Sequence, residues 1–139
     1  MQTEVIRLEF PADYRYLNIV SACLAGMVEL IDGLSEPAVV TDTLQLAVHE
    51  AYTNVVRHAY AGCANGRIEI ELTLERSSHR LTVDLYDTGQ PFDPNQVPKP
   101  KIGTLQEHGY GLFLMKSLLD EVTYNPTPGR NHWRLVKQF

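Results

Sequence analysis

The chain is poor in cysteine, in positive charge and in long apolar runs. Its two cysteines, Cys23 and Cys63, are not in a C-x-x-C spacing, which argues against a disulfide framework or a zinc site and suits a reducing cytoplasm. The formal net charge of −5 argues against a general nucleic-acid binder and favours proteins or chelated nucleotides as partners. No signal-peptide pattern opens the sequence, and no run approaches the roughly 18 apolar residues of a membrane span. We therefore expect a cytoplasmic protein without a membrane segment.

The composition that remains is that of a globular domain. The 139 residues are 44% hydrophobic and 21% charged, which suits one domain with a core of useful size. No internal repeat, low-complexity tract or linker divides the sequence. We therefore expect a single domain over residues 1–139.

Hydrophobic periodicity predicts two helices after a short first strand. Residues 5–10 alternate as a strand that ends at Pro11, and Asp13 is placed to cap a helix that runs to Gly33. A second helix restarts near Pro37 and fades near Gly62.

The second half predicts a hairpin, a loop, a third helix and two closing strands. Residues 68–74 and 81–85 alternate apolar and polar side chains, as expected for an antiparallel hairpin. Four prolines rule out regular structure over residues 87–108, and a loop of this length is typically a lid, a binding loop or a disordered segment. A helix is predicted near 110–120 and strands near 122–124 and 133–137. The order β-α-α-β-β-loop-α-β-β predicts an α/β sandwich with helices on one sheet face.

The second helix carries a line of polar residues beside its apolar stripe. Glu50, Asn54 and His58 follow at i, i+4 and i+8, within about 80° of one another on an α-helix. A carboxylate in a partly dry cleft can accept a proton from a hydroxyl, and an amide oxygen is a suitable ligand for Mg²⁺. A solvated polar helix face is the alternative, since such spacing is routine.

Asp87 and Gly89 follow directly after the predicted strand 81–85. A carboxylate at a strand end can accept a hydrogen bond from an exocyclic amine such as that of adenine, and Gly89 would let a ring approach the backbone. An ordinary turn is the alternative, because aspartate and glycine are both turn residues.

Two glycines, Gly109 and Gly111, stand at the start of the third helix. Free backbone N–H groups at a helix start favour phosphate. No Gly-Lys-Ser/Thr follows and no strand leads directly in, so neither a Walker A motif nor a dinucleotide fingerprint is present. A flexible hinge at the end of the loop is the alternative.

Taken in order, these segments resemble a known ATP-binding family. V-H-E-A-Y-T-N-V-V-R-H-A-Y (48–60), D-T-G-Q-P-F-D (87–93) and H-G-Y-G-L-F-L-M (108–115) are similar to the N, G1 and G2 boxes of the Bergerat fold, which gyrase and sensor histidine kinases share. The short length and the closing G-R-N-x-W-R-L-V-K (129–137) resemble the bacterial anti-sigma factor serine/threonine kinases. This resemblance implies an α/β (α+β) two-layer sandwich whose mixed, mostly antiparallel sheet carries about three helices on one face.

The resemblance also implies roles for individual residues. Glu50 would be the catalytic base that deprotonates a serine or threonine of a protein substrate, and Asn54 would bind Mg²⁺ through the ATP phosphates. Asp87 would bind the adenine amine, with Gly89 allowing the ring to pack. The start of the third helix would bind the phosphates, and residues 94–108 would form the ATP lid. The residues implied at the helix start are His108, Gly109, Gly111 and Leu112.

The implied partners are proteins. Family members phosphorylate a small anti-anti-sigma antagonist, hold a sigma factor away from RNA polymerase, and are usually homodimers. His108 departs from the family pattern, which commonly has glycine at that place. The alternatives are a nucleotide-dependent partner-switching module without phosphotransfer, and the ATP-binding domain of a histidine kinase or DNA-linked ATPase. Retention of Glu50 favours the kinase, and the lack of a phospho-acceptor helix or second ATPase domain counts against the third.

Overall fold

The fold was obtained as a computed structural model, which describes residues 3–59, 66–89, 110–127 and 129–139. Five strands and three helices follow one another in the predicted order. Their bounds are β1 Thr3–Pro11, α1 Leu17–Glu29, α2 Pro37–Asn54, β2 Arg67–Glu75, β3 Arg80–Asp87, α3 Tyr110–Leu118, β4 Glu121–Thr127 and β5 Arg130–Gln138. A 3₁₀ turn precedes α1 at Tyr14–Tyr16, and a π-helical turn extends α2 at Val55–Ala59.

The five strands form one sheet in the order β1-β2-β3-β5-β4. All four pairings between these strands are antiparallel, so the mixed sheet that the resemblance implied is corrected to an antiparallel one for the described strands. Because β5 inserts between β3 and β4, those two strands run in the same direction without pairing. This insertion puts the start of β5 beside the end of β3.

Helices cover one face of the sheet, which confirms the predicted two-layer sandwich. Alternate residues of β2 and β3 point into the core, and the buried faces of α1, α2 and α3 pack on them. The core residues of β2 are Ile68, Ile70, Leu72 and Leu74. Helix α2 contacts both α1 and α3, so it lies in the middle of the helical layer. In the described part of the chain, no helix is long and apolar enough to cross a membrane.

The start of the first helical segment follows the predicted capping chemistry. The Asp13 carboxylate accepts a hydrogen bond from the Arg15 N–H at 2.9 Å, as an N-cap residue should. Gly33, predicted to end this segment, has a φ of 80°, a conformation that glycine adopts without the strain of a side chain. Pro37 occupies the first turn of α2, where its missing N–H costs no helical hydrogen bond.

Candidate functional site

The predicted site residues that the structure describes gather at one end of the sheet. A row of paired residues crosses this end, with Ile68 opposite Asp87 and Asp87 opposite Asn131. The Tyr52 hydroxyl donates a hydrogen bond to the Asp13 backbone carbonyl at 2.5 Å, just beyond the end of β1. This bond holds the C-terminal part of α2 at the same end of the sheet. Glu50 and Asp87 therefore both lie at this end.

Glu50 and Asn54 lie one helical turn apart on α2, and both are partly buried. Ala47 and Ala51 on the neighbouring stripe are fully buried, so the polar pair borders the core as predicted. The backbone changes from α to π geometry at Val55. The α-helical spacing behind the predicted three-residue line therefore applies only as far as Asn54, and π-turns of this kind are frequent at functional sites.

Helix α3 approaches Glu50 through a glycine. A side-chain methyl built on Gly111 would lie 2.5 Å from Glu50 Oε2, closer than real Cβ contacts come. The absent side chain thus leaves room for the carboxylate against the first turn of α3. Gly111 was predicted as a phosphate-binding glycine, and its N–H belongs to the helix start that lacks internal partners. The structure adds a second reason for glycine at this position.

Asp87 is the last residue of β3, and its side chain is buried at 3% exposure. Its Oδ1 accepts hydrogen bonds from the Gly89 N–H at 3.0 Å and from Asn131 Nδ2 at 2.9 Å. Burial raises the pKa of the Asp87 carboxyl, and these two hydrogen bonds lower it in part. The carboxylate therefore sits in a dry environment with neutral donors, which suits an incoming amine.

Asn131 is a site residue that the motifs alone did not single out. It is 1% exposed, and its Nδ2 also donates to the Gly89 carbonyl at 2.9 Å. A sequence signal for it exists, since Asn131 is in phase with the buried Trp133 and Leu135 of the same strand. A polar side chain on the core face of a strand needs partners, and those partners identify the site.

The remaining predicted site residues are Leu112, His108 and Gly109, together with the predicted lid. Leu112 is partly buried in the first turn of α3, where it packs against the core. His108, Gly109 and the predicted lid 94–108 lie outside the described residues.

The described residues could supply a magnesium ion with a single protein ligand. They include no group of three or more histidine, cysteine, aspartate or glutamate side chains that could hold a metal. Mg²⁺ in nucleotide sites commonly takes one or two protein ligands and completes its shell with phosphate oxygens and water. The single partly buried amide of Asn54 is compatible with that arrangement.

Comparisons with known proteins place this chain in a family. The family model of the histidine kinase-like ATPase domain matches residues 10–137. The serine-protein kinase RsbW of Bacillus subtilis is 33% identical to it, over 86% of this chain and 76% of the relative. The RsbW of Staphylococcus aureus is also 33% identical, over 91% and 82%. This chain belongs to the anti-sigma factor kinases of the histidine kinase-like ATPase family.

Solved structures agree on the fold. A Mycobacterium tuberculosis protein crystallised with its RsbU and RsbW domains superposes with a TM-score of 0.67 at 15% identity, over 97% of this chain. This chain spans 32% of that longer protein. The histidine kinase domain of a blue-light activated kinase from Erythrobacter litoralis gives 0.56 at 15% identity, over 92% of this chain and 61% of the other. At this identity the likeness shows the Bergerat-type architecture alone.

Proposed function

We propose that this chain is an ATP-dependent protein serine/threonine kinase that acts as an anti-sigma factor. It phosphorylates a small anti-anti-sigma antagonist and sequesters a sigma factor in the cytoplasm. The observation that carries the proposal is the Glu50 carboxylate, which lies against Gly111 one helical turn from Asn54. A partner switch without phosphotransfer has no use for a carboxylate held at this position, and the relatives named above are serine-protein kinases.

In this proposal each residue has a separate role in an in-line phosphoryl transfer. Asp87 accepts a hydrogen bond from the adenine amine, and Gly89 leaves space for the adenine ring. Backbone N–H groups at the start of α3, at Gly109 and Gly111, hold phosphate oxygens, with His108 and Leu112 beside them. Glu50 takes the proton of the attacking hydroxyl, so the oxygen that attacks phosphorus is a stronger nucleophile.

Magnesium completes the proposed site. Mg²⁺ held by Asn54 and the phosphates would neutralise charge that develops on the transferring group. The predicted lid 94–108 would close over the nucleotide.

The proposed partners also include a second copy of the chain. Homodimers are usual in the family, and we expect light scattering to give twice the mass of 15.7 kDa. A monomer at micromolar concentration would remove this part of the proposal and leave the kinase assignment untouched.

The activity is tested by incubating the protein with labelled ATP, Mg²⁺ and candidate small anti-anti-sigma proteins. We expect one of them to be phosphorylated on serine or threonine. Clear ATP binding without phosphorylation of any candidate would favour the partner-switching alternative.

The role of Glu50 is tested by Glu50→Gln. Because the amide cannot take a proton, we expect the transfer rate to fall by about 10²–10⁴-fold, with ATP affinity within about twofold. Glu29→Gln, at an exposed position at the end of α1, is the matched control and should leave the rate unchanged. Normal transfer by the Glu50 variant would show that another group is the base.

The clearance at Gly111 makes a separate prediction. In Gly111→Ala the new methyl must push the Glu50 carboxylate aside, and we expect about 10- to 100-fold slower transfer. Stability should not fall, since alanine favours a helix over glycine by about 1 kcal/mol. Gly26→Ala in α1 is the control, because a methyl there meets nothing within 4 Å. Equal transfer rates for both variants would separate Gly111 from the positioning of Glu50.

A further inference from the structure

Asn131 holds the turn that carries Asp87 at two points. Its Nδ2 donates to Asp87 Oδ1 at 2.9 Å and to the Gly89 carbonyl at 2.9 Å. The same Oδ1 accepts the Gly89 N–H at 3.0 Å. The three hydrogen bonds close the Asp87–Gly89 segment against β5, so the carboxylate has one orientation.

The bonds also distinguish the two oxygens of the carboxylate. Both donors that the described residues supply to Asp87 contact Oδ1. Oδ1 is therefore the oxygen that fixes the side chain, and Oδ2 is the oxygen that the described donors leave for an external donor. An amide is suited to this task because it donates without bringing a charge that would neutralise the carboxylate.

The amide oxygen of Asn131 indicates that this side chain does more than stabilise the fold. Its Oδ1 is buried and has no hydrogen-bond partner among the described residues. The opposite orientation of the amide is excluded, because it would place Oδ1 against two acceptors, Asp87 Oδ1 and the Gly89 carbonyl. A buried carbonyl oxygen without a donor is unfavourable, and an apolar residue of similar size would avoid it.

We propose that Asn131 is a positioning residue that aims Asp87 Oδ2 at the amine of a 6-aminopurine, and so makes the site prefer adenine over 6-oxopurine nucleotides. The inference rests on the proposed nucleotide function and assigns the preference to a residue on β5, outside the three sequence boxes. A 6-oxopurine presents a carbonyl where adenine presents its amine. A correctly aimed carboxylate therefore accepts a hydrogen bond from the adenine amine and repels the carbonyl oxygen of the 6-oxopurine.

The test compares the dissociation constants of ATP and of inosine triphosphate, which lacks the amine, for three proteins. Asn131→Leu keeps the branched shape and the number of side-chain heavy atoms, and it removes the donor. We expect its ATP affinity to fall about tenfold or more while its inosine triphosphate affinity changes little, so that the discrimination ratio collapses. A merely structural role would weaken both nucleotides equally. Asn125→Leu, an exposed asparagine on β4, is the matched control and should keep the wild-type ratio.

A second variant guards against misfolding. Asn131→Thr retains an O–H donor on a residue that strands accept, and it should keep part of the ratio. An unchanged ratio in both Asn131 variants would overturn the inference, as would failure of both to fold, since the role would then be structural. A wild-type protein that fails to bind ATP, or does not prefer it over inosine triphosphate, would instead remove the adenine role of Asp87 on which the inference rests.

Discussion

Strand β3 carries two buried aspartates, Asp84 and Asp87, that point to opposite faces of the sheet. Each is 3% exposed, although Asp84 lies on the face that is opposite the described helices. Asp84 Oδ1 is 2.9 Å from Arg134 Nε and 2.6 Å from His132 Nε2. Asp87 has only neutral donors among the described residues, the Gly89 N–H and the Asn131 amide.

This difference separates a structural carboxylate from one that can bind a ligand. The Arg134 guanidinium meets the charge of Asp84 from within the chain, and that contact raises the pKa of Arg134. Burial raises the pKa of Asp87, whose hydrogen-bond donors among the described residues are both neutral. A ligand amine thus gains more at Asp87 than at Asp84, because the charge of Asp84 is already paired with Arg134 whereas the described donors to Asp87 are neutral.

Of the effects that distinguish the two aspartates, the largest should be on ATP affinity, and it should appear only at Asp87. Asp87→Asn replaces an ionised acceptor by an amide, and we expect ATP affinity to fall by about 10- to 100-fold, since hydrogen bonds to charged groups are worth roughly 1.5–3 kcal/mol. Asp84→Asn is the matched control and should bind ATP as the wild type does. Isothermal titration calorimetry measures both. Equal losses of ATP affinity in the two variants would show that the different surroundings of Asp84 and Asp87 do not predict ligand binding.

The raised pKa of Asp87 makes ATP affinity depend on pH. The ionised carboxyl accepts the amine, so affinity is full above its pKa and falls as pH decreases through it, by up to about tenfold per pH unit. Fluorescence binding curves from pH 8 down to the limit of stability would show this. Since ATP itself titrates, Asp87→Asn is the control: the acid-dependent loss should be smaller there, whereas Asp84→Asn should retain it.

Folding stability depends on the same group with the opposite sign. A carboxyl whose pKa is raised above the ordinary 3.8 holds its proton more tightly in the folded state than in the unfolded state. Its contribution to the free energy of unfolding therefore decreases as pH rises between those two values. In Asp87→Asn this part of the pH dependence should vanish.

The smallest effect concerns the stability that Asp84 draws from Arg134. Arg134→Met removes the guanidinium from the buried carboxylate and leaves its contact with His132. We expect a loss of about 1–2 kcal/mol, below the range for fully buried pairs because Arg134 is 47% exposed. Arg7→Met breaks the exposed pair with Glu71 on the same face and should change stability by about 0.5 kcal/mol or less. Urea unfolding measures both, and equal changes would make Asp84 an ordinary surface partner.

The sequence predicted the elements well because their signals are local. Alternation from Ile68 to Leu74, the cap at Asp13 and Pro37 at a helix start each depend on a few neighbouring residues. Glu50, Asn54 and Asp87 could likewise be singled out from residue type and position. The structure places Glu50 and Asn54 one turn apart and puts Asp87 at the same sheet end.

Long-range pairing could not be predicted in this way. The contacts of Asp87 with Asn131, and of Asp84 with Arg134, join residues 44 and 50 positions apart, and they exist because β5 inserts between β3 and β4. The π-turn at Val55 was also missed, since no residue type there requires it. The contact of Gly111 with Glu50 depends on how α3 packs against α2, which the hydrophobic pattern of either helix leaves open.

We expect Asp87, the buried carboxylate whose described donors are neutral, to be the one that receives the nucleotide. Carbon-13 NMR of the aspartate side-chain carboxyls, followed during titration with ATP, tests it most directly. We expect the Asp87 resonance to shift and the pKa of Asp87 to fall on ATP binding, because the bound amine stabilises the ionised form. The Asp84 resonance should stay in place, and inosine triphosphate should not reproduce the change. Movement of Asp84 alone, or an unmoved Asp87 at saturating ATP, would contradict it.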